Sequence, residues 1–161
     1  MKLDAIDVKV LEAIQRDSKR TTAEIARELG IPVTTVYSKI RRLENLKLIK
    51  GYHALLDGKK LGKSTTAFIL VTVSYATQSQ DLDREVANQV SQFGEVQEVH
   101  LVSGEWDFII KLRSSNIESV GKFIAEKLRT VKGIDRTVTC LVFETAKETT
   151  EIDLKQPHED I

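Results

Sequence analysis

The spacing of apolar residues changes once along this chain, and the change separates two parts that cannot share one layer of structure. Leu3, Ile6, Val10, Leu11 and Ile14 recur at three- and four-residue steps, the repeat of a helix with one buried stripe. From Ala67 the repeat is two. Ala67, Ile69, Val71, Val73 and Tyr75 alternate with Phe68, Leu70, Thr72 and Ser74, as they do along a strand. Between these regions Asp57-Gly58-Lys59-Lys60-Leu61-Gly62-Lys63 is polar and glycine-containing, a natural boundary. A chain of 161 residues has room for two small domains. The expected division is a first domain over residues 1–56, a linker over 57–65, a second domain over 66–146, and a polar tail without period over 147–161.

Within the first part, Asp17-Ser18 ends the opening helix, and Thr21-Thr22-Ala23-Glu24 has the spacing of a capping box. A short second helix follows, with Ile25, Ala26 and Leu29 inward. Gly30 supplies a left-handed stop and Pro32 starts a third helix, whose Val36, Ile40 and Leu43 face inward. Two helices around a glycine turn, propped by a third, make a helix-turn-helix or an ordinary three-helix bundle. The outer face of the third helix favours the former. It carries Thr34, Thr35, Ser38, Lys39, Arg41, Arg42 and Asn45, groups that reach base edges and phosphates. Residues 49–56, around Gly51, read as an extended segment suited to a wing or to the start of a linker strand.

The second part continues with helical spacing at Leu82, Val86, Val90 and Phe93, a strand over residues 96–103, and a strand over 106–113 with Trp106, Phe108, Ile110 and Leu112 on one side. Helical spacing returns at Ile117, Val120, Ile124, Leu128 and Val131, and a last strand covers 134–144. The order βαββαβ predicts a ferredoxin-like split sandwich with both helices on one face. The fold class is therefore α+β, a winged helix-turn-helix followed by a ferredoxin-like domain. Phe68, Leu70, Leu141 and Phe143 are expected on the face away from the helices, an apolar patch that a symmetric homodimer would cover.

Net charge is zero, but residues 1–60 carry 13 Lys+Arg against 8 Asp+Glu, and residues 61–161 carry 11 against 16. That asymmetry points to a DNA-facing first half. The start lacks the order of a signal peptide and no apolar run approaches the roughly 20 residues of a membrane span, so a cytoplasmic protein is expected, with no membrane partner. The one cysteine, Cys140, can form no internal disulfide and is expected to be a buried small apolar residue. His53, His100 and His158 have no paired spacing for a metal or a catalytic base. His100 reads as a strand or interface residue. With no nucleophile motif and no phosphate-cradling loop, neither an enzyme nor a cofactor is indicated.

Three blocks, LDAIDVKVLEAIQRDSKRT, GIPVTTVYSKIRRLENLKLIKGYHALL and VHLVSGEWDFIIKLR, resemble the Lrp/AsnC family of leucine- and asparagine-responsive regulators from Leu3 to about Glu144. The resemblance implies a dimer on pseudo-palindromic double-stranded DNA, further assembly to tetramers or octamers, and a small amino-acid effector held between C-terminal domains. One departure is Pro32, where the family commonly carries a serine at the start of the recognition helix. Together, helix pattern and resemblance place Thr34, Thr35, Ser38 and Lys39 near base edges, and Arg41, Arg42, Arg20 and Lys50 near phosphates. Alternatively Arg41 or Arg42 pairs internally, with Glu44 or with the first helix.

For the effector, Gly104-Glu105 suits a two-residue turn with glycine first. Backbone amides around Ser103, Gly104, Glu105 and Trp106 would face a carboxylate, and Asp107 an ammonium group. Otherwise Gly104 serves only the hairpin and Asp107 caps a neighbouring turn. Thr137 and Thr139 match family positions near the ligand. Two other functions stay open on the sequence: an architectural, chromatin-like protein that coats DNA without an effector, and an enzyme or chaperone-like binder built on the second domain.

Overall fold

A computed structural model describes residues 2–74 and 82–154; Tyr75 and His158 lie outside them. The chain forms two compact units, one running to Leu55 and including the segment from Lys147, the other spanning Leu56–Ala146. In the first, α1 (Ala5–Arg16), α2 (Thr22–Leu29) and α3 (Val33–Asn45) pack around Val10, Leu11, Ala13, Ile25, Ala26, Val36 and Leu43.

Local signals set the helix ends. Asp4 and Asp7 form a capping box on α1, and Thr21 and Glu24 form the expected one on α2. Gly30 is left-handed with φ 66°. Beyond α3 the chain turns through Lys47, at φ 58°. The Leu48 N–H donates to the Leu43 carbonyl at 3.0 Å and the Lys47 N–H to that of Glu44 at 2.9 Å, the pairing of a Schellman stop without its usual glycine. The expected wing is not a strand: residues 50–57 carry no regular structure. Instead the Tyr52 hydroxyl donates to Glu44 at 3.0 Å, tying the segment back to α3.

The segment from Lys147 is more than a loose tail. The Gln15 side-chain amide donates to the Ile152 carbonyl at 3.1 Å and accepts the Ile152 N–H at 2.8 Å. Leu154 packs against the same core as α1 to α3. No period marks this segment because one apolar anchor, held by backbone bonds to a single glutamine, needs none.

The second unit is a four-stranded antiparallel sheet in the order β2-β3-β1-β4, from β1 (Thr65–Val73), β2 (Val96–Leu101), β3 (Phe108–Ser114) and β4 (Ile134–Leu141). Two helices pack on one face: α4 (Leu82–Ser91), and α5 (Ile117–Lys122), which continues as a π-helical turn (Phe123–Lys127) and a 3-10 turn. The π turn serves packing. It puts Phe123 and Leu128, five residues apart, into the core together. Alternate residues Ala67, Ile69, Val71 and Val73 of β1 and Phe108, Ile110 and Leu112 of β3 are buried against Val86, Val90, Val120, Phe123 and Leu128.

The open face keeps Phe68 and Leu70 but loses the expected Leu141 and Phe143 and gains three other residues. Leu141 pairs with Ala67 and so faces the helices, whereas Val138 pairs with Leu70 and Cys140 with Phe68. The open apolar patch is therefore Phe68, Leu70, Ile109, Val138 and Cys140, and Cys140 is exposed rather than buried. Phe143 lies beyond the end of β4 and is fully exposed. On the β2 side of this face Glu98 bridges His100 at 3.1 Å and Lys111 at 3.0 Å.

Gly133 leads into β4 at φ 99°, and a Cβ there would sit 2.9 Å from a Val86 methyl. Gly133→Ala combines backbone strain with a clash and should lower the unfolding free energy by about 2 kcal/mol. The check is a fall in the urea midpoint at unchanged slope.

Candidate functional site

The outer face of α3 is built on a buried charge. Asp7 is fully buried. Its carboxylate accepts the Asp4 N–H at 3.0 Å and the Arg42 guanidinium at 2.8 Å, and lies 3.2 Å from the Lys39 ammonium. Lys39 also contacts Asp4. Both cations are thus turned onto α1, Lys39 more completely than Arg42, whose side chain remains partly exposed. Arg41 pairs with Glu44 at 3.2 Å on the surface, and Arg20 pairs with Glu28. For Arg41 and Arg42 the structure adopts the internal alternative.

What α3 presents outward includes a short polar edge, beside the exposed Val33 and Tyr37. Thr34 and Ser38 are exposed and Thr35 is half-buried, and each threonine lies about one helical turn before Ser38. The Ser38 hydroxyl donates to the Thr35 carbonyl at 2.9 Å and keeps its lone pairs outward. Pro32 caps the helix with no side-chain hydrogen bond. Lys50 is exposed just past α3. The surface pairs of Arg41 and Arg20 hold little energy in water, so a phosphate can displace them.

In the second unit, the hairpin between β2 and β3 closes with the Val102 N–H donating to the Asp107 carbonyl at 3.0 Å. Four residues, 103–106, make the connection, two more than the expected tight turn. Gly104 has φ 117°, with nothing within 4 Å of a would-be Cβ; conformation, rather than space, calls for glycine there. Trp106 falls in this loop and leaves the strand alternation, so it is absent from the core that Phe108, Ile110 and Leu112 share.

Arg136 of β4, unflagged in the sequence, meets the loop. Its guanidinium lies 4.5 Å from the Trp106 ring centre and 3.3 Å from Glu105. The Asp107 carboxylate accepts the Val73 N–H at 2.7 Å, and its own N–H donates to the Val71 carbonyl at 3.0 Å. The loop therefore gathers Glu105, Trp106, Asp107 and Arg136. Thr137 and Thr139 pair with Val71 and Ile69 on the helix side of the sheet, whereas Arg136 pairs with Thr72 on the other. They do not join the cluster. Among the described residues no group of three His, Cys, Asp or Glu side chains is placed to hold a metal ion, and no helix is long and apolar enough to cross a membrane.

Comparison with known proteins places both units. Residues 3–44 match the AsnC-type helix-turn-helix domain, and residues 66–152 the Lrp/AsnC ligand binding domain. The chain belongs to the Lrp/AsnC family of helix-turn-helix transcriptional regulators. It is 41% identical over 146 residues to an uncharacterized HTH-type transcriptional regulator of Pyrococcus horikoshii, covering 91% of this chain and 96% of the relative. It is 31% identical to the leucine-responsive regulatory protein of Escherichia coli, over 95% and 92% of the two chains. The AsnC family transcriptional regulator from Agrobacterium tumefaciens superposes with a TM-score of 0.88 at 26% identity, over 94% and 97% of the two chains. A Neisseria meningitidis transcriptional regulator solved as an L-Met complex shares the fold, with a TM-score of 0.88 at 22% identity over 96% and 98%.

The charge network under α3 has consequences for stability. Asp7→Asn leaves two cations facing a neutral amide in a buried site and should lower the unfolding free energy by about 3 kcal/mol. Hydrogen bonding from Lys39 holds the Asp4 carboxyl down at about 2. A carboxyl lowered on folding stabilises above its unfolded pKa, and that contribution is lost as pH falls. Thermal unfolding followed from pH 6 downward should show the loss between about pH 4 and pH 2, with a smaller acid loss in Asp4→Asn.

Proposed function

We propose that this regulator binds a specific operator as a dimer and that a small amino acid, bound at residues 103–107, modulates its assembly or its DNA affinity. The observation that carries the proposal is the outer face of α3. Lys39 and Arg42 fix the helix to α1, leaving Thr34, Thr35 and Ser38 as a compact polar edge of the size that enters a major groove, flanked by Arg41, Lys50 and Arg20 for the phosphates. Paired recognition helices about one helical turn apart read an imperfect inverted repeat.

The open sheet face supplies the dimer. Its apolar patch needs a cover, and a second copy presents the same patch. At the loop, Arg136 suits a carboxylate, Trp106 gives an apolar wall, and Glu105 with Asp107 offers anionic charge for an ammonium group; an α-amino acid carries both charges. The L-Met in the Neisseria meningitidis structure is an amino acid held by the same fold, which supports this ligand class.

Selection of bound genomic fragments with and without a mixture of amino acids tests DNA binding and sensing together. Enrichment of a common inverted repeat, altered by the mixture, is expected. Equal recovery of all fragments would instead favour an architectural protein that coats DNA. In gel-shift titrations the double variant Thr34→Ala/Ser38→Ala should lose about 1–3 kcal/mol of operator affinity. Arg41→Ala should weaken specific and nonspecific binding alike and reduce the salt slope by about one.

Assembly has its own test. Phe68→Glu puts a charge into the patch and should give monomers in sedimentation velocity where the unaltered protein gives dimers or larger species. Unchanged assembly would place the interface elsewhere.

A further inference from the structure

The hydroxyls of Thr34, Thr35 and Ser38 leave the reading of bases incomplete. Serine and threonine pair with either kind of base edge, so alone they discriminate weakly. The side chains that single out guanine are Arg and Lys, and on this helix Lys39 and Arg42 are engaged by Asp7 of α1. Two further residues at the start of α3 offer a different chemistry. Val33 is 48% exposed and Tyr37 is 59% exposed.

Their placement joins them to the DNA-facing surface. Thr34, Tyr37, Ser38 and Arg41 stand at i, i+3, i+4 and i+7 of α3 and form one strip, every member of it exposed. Tyr37 lies within that strip, between groups suited to bases and a cation suited to phosphate. Val33 is one turn before Tyr37, at the first position of the helix, and the N-terminal residues of a recognition helix are those that meet base edges. The core draws on other residues of α3, since Val36 and Leu43 are fully buried. Tyr52, by contrast, is used within the fold, its hydroxyl donating to Glu44 at 3.0 Å.

The major groove presents one apolar group, the C5-methyl of thymine. We propose that Tyr37, with Val33 beside it, packs on thymine methyls and so selects T·A pairs in each half-site. This reading rests on the proposed entry of α3 into the groove and adds the base that the helix selects. An aromatic ring and a branched aliphatic chain one turn apart shield a methyl from water as hydroxyls do not. A G·C pair at the same step would press polar groups, without hydrogen-bond partners, against the two side chains, at a cost in free energy.

Duplexes selected by the full chain from a random-sequence library supply the probe. Each thymine of the enriched half-site is replaced in turn by deoxyuridine, which keeps the hydrogen-bonding groups of the pair and removes the methyl. Gel-shift titration at fixed salt should reveal at least one step per half-site where this removal weakens binding about fourfold. Tyr37→Ala should weaken binding to the thymine duplex by at least a similar factor and abolish the penalty at that step, whereas Tyr37→Phe keeps both affinity and penalty. The two duplexes are compared within each variant, so partial unfolding, which lowers binding to both alike, cannot imitate the result. An enriched repeat with no methyl-sensitive step, or a penalty that persists in both Tyr37→Ala and Val33→Ala, would overturn the assignment while leaving operator binding intact. So would a loss in Tyr37→Phe equal to that in Tyr37→Ala, which would make the hydroxyl the reader. A change in the sedimentation of free Tyr37→Ala with the penalty retained would assign the edge to a protein contact instead. Enrichment of no sequence at all would remove the operator reading, and this one with it.

Discussion

The N-terminal unit is organised around one buried carboxylate. An isolated anion in a protein core costs several kcal/mol, and Asp7 is tolerated because the Asp4 backbone amide at the α1 cap and two α3 cations surround it. Since Lys39 and Arg42 come from the recognition helix, rotating that helix would strand the charge. The rotational setting of α3 is thereby fixed before any DNA arrives. The positive excess of the first 60 residues overstates what is available for phosphates, because part of it neutralises α1.

In the C-terminal unit Asp107 has a comparable place. Its N–H and carboxylate hold both sides of the last turn of β1, where the register against β4 slips between Thr72 and Val73. The loop that gathers Glu105, Trp106 and Arg136 is therefore continuous with the end of the central strand. A ligand that repositioned this loop would act on the sheet whose open face carries the apolar patch. Loop and patch share β1 and β4.

Features encoded within a few residues were legible in the sequence: the Thr21–Glu24 cap, the left-handed Gly30, the start of α3 after Pro32, and the alternation along β1. The Asp4–Asp7 cap was legible too, since Asp-x-x-Asp has capping-box spacing, but the apolar repeat drew the helix start back to Leu3. Other features depend on residues far apart in the chain. Which face Leu141 and Val138 occupy depends on pairing with β1, and a shift of one residue exchanges the faces. The partners of Lys39 lie 35 and 32 residues earlier. Arg136 gains meaning only from Trp106 across the sheet end. The hairpin is longer than Gly104-Glu105 implied because Asp107 closes it while bound to β1.

The return of residues 147–154 to α1 means that the DNA-binding unit is built from both ends of the chain. A protease cut in the polar stretch before β1 would sever one covalent connection, yet the Gln15–Ile152 clasp and Leu154 would still hold the N-terminal fragment to the remainder. Nicked protein should co-purify as a non-covalent pair, whereas an N-terminal fragment expressed alone would lack Leu154 and expose the core surface it covers.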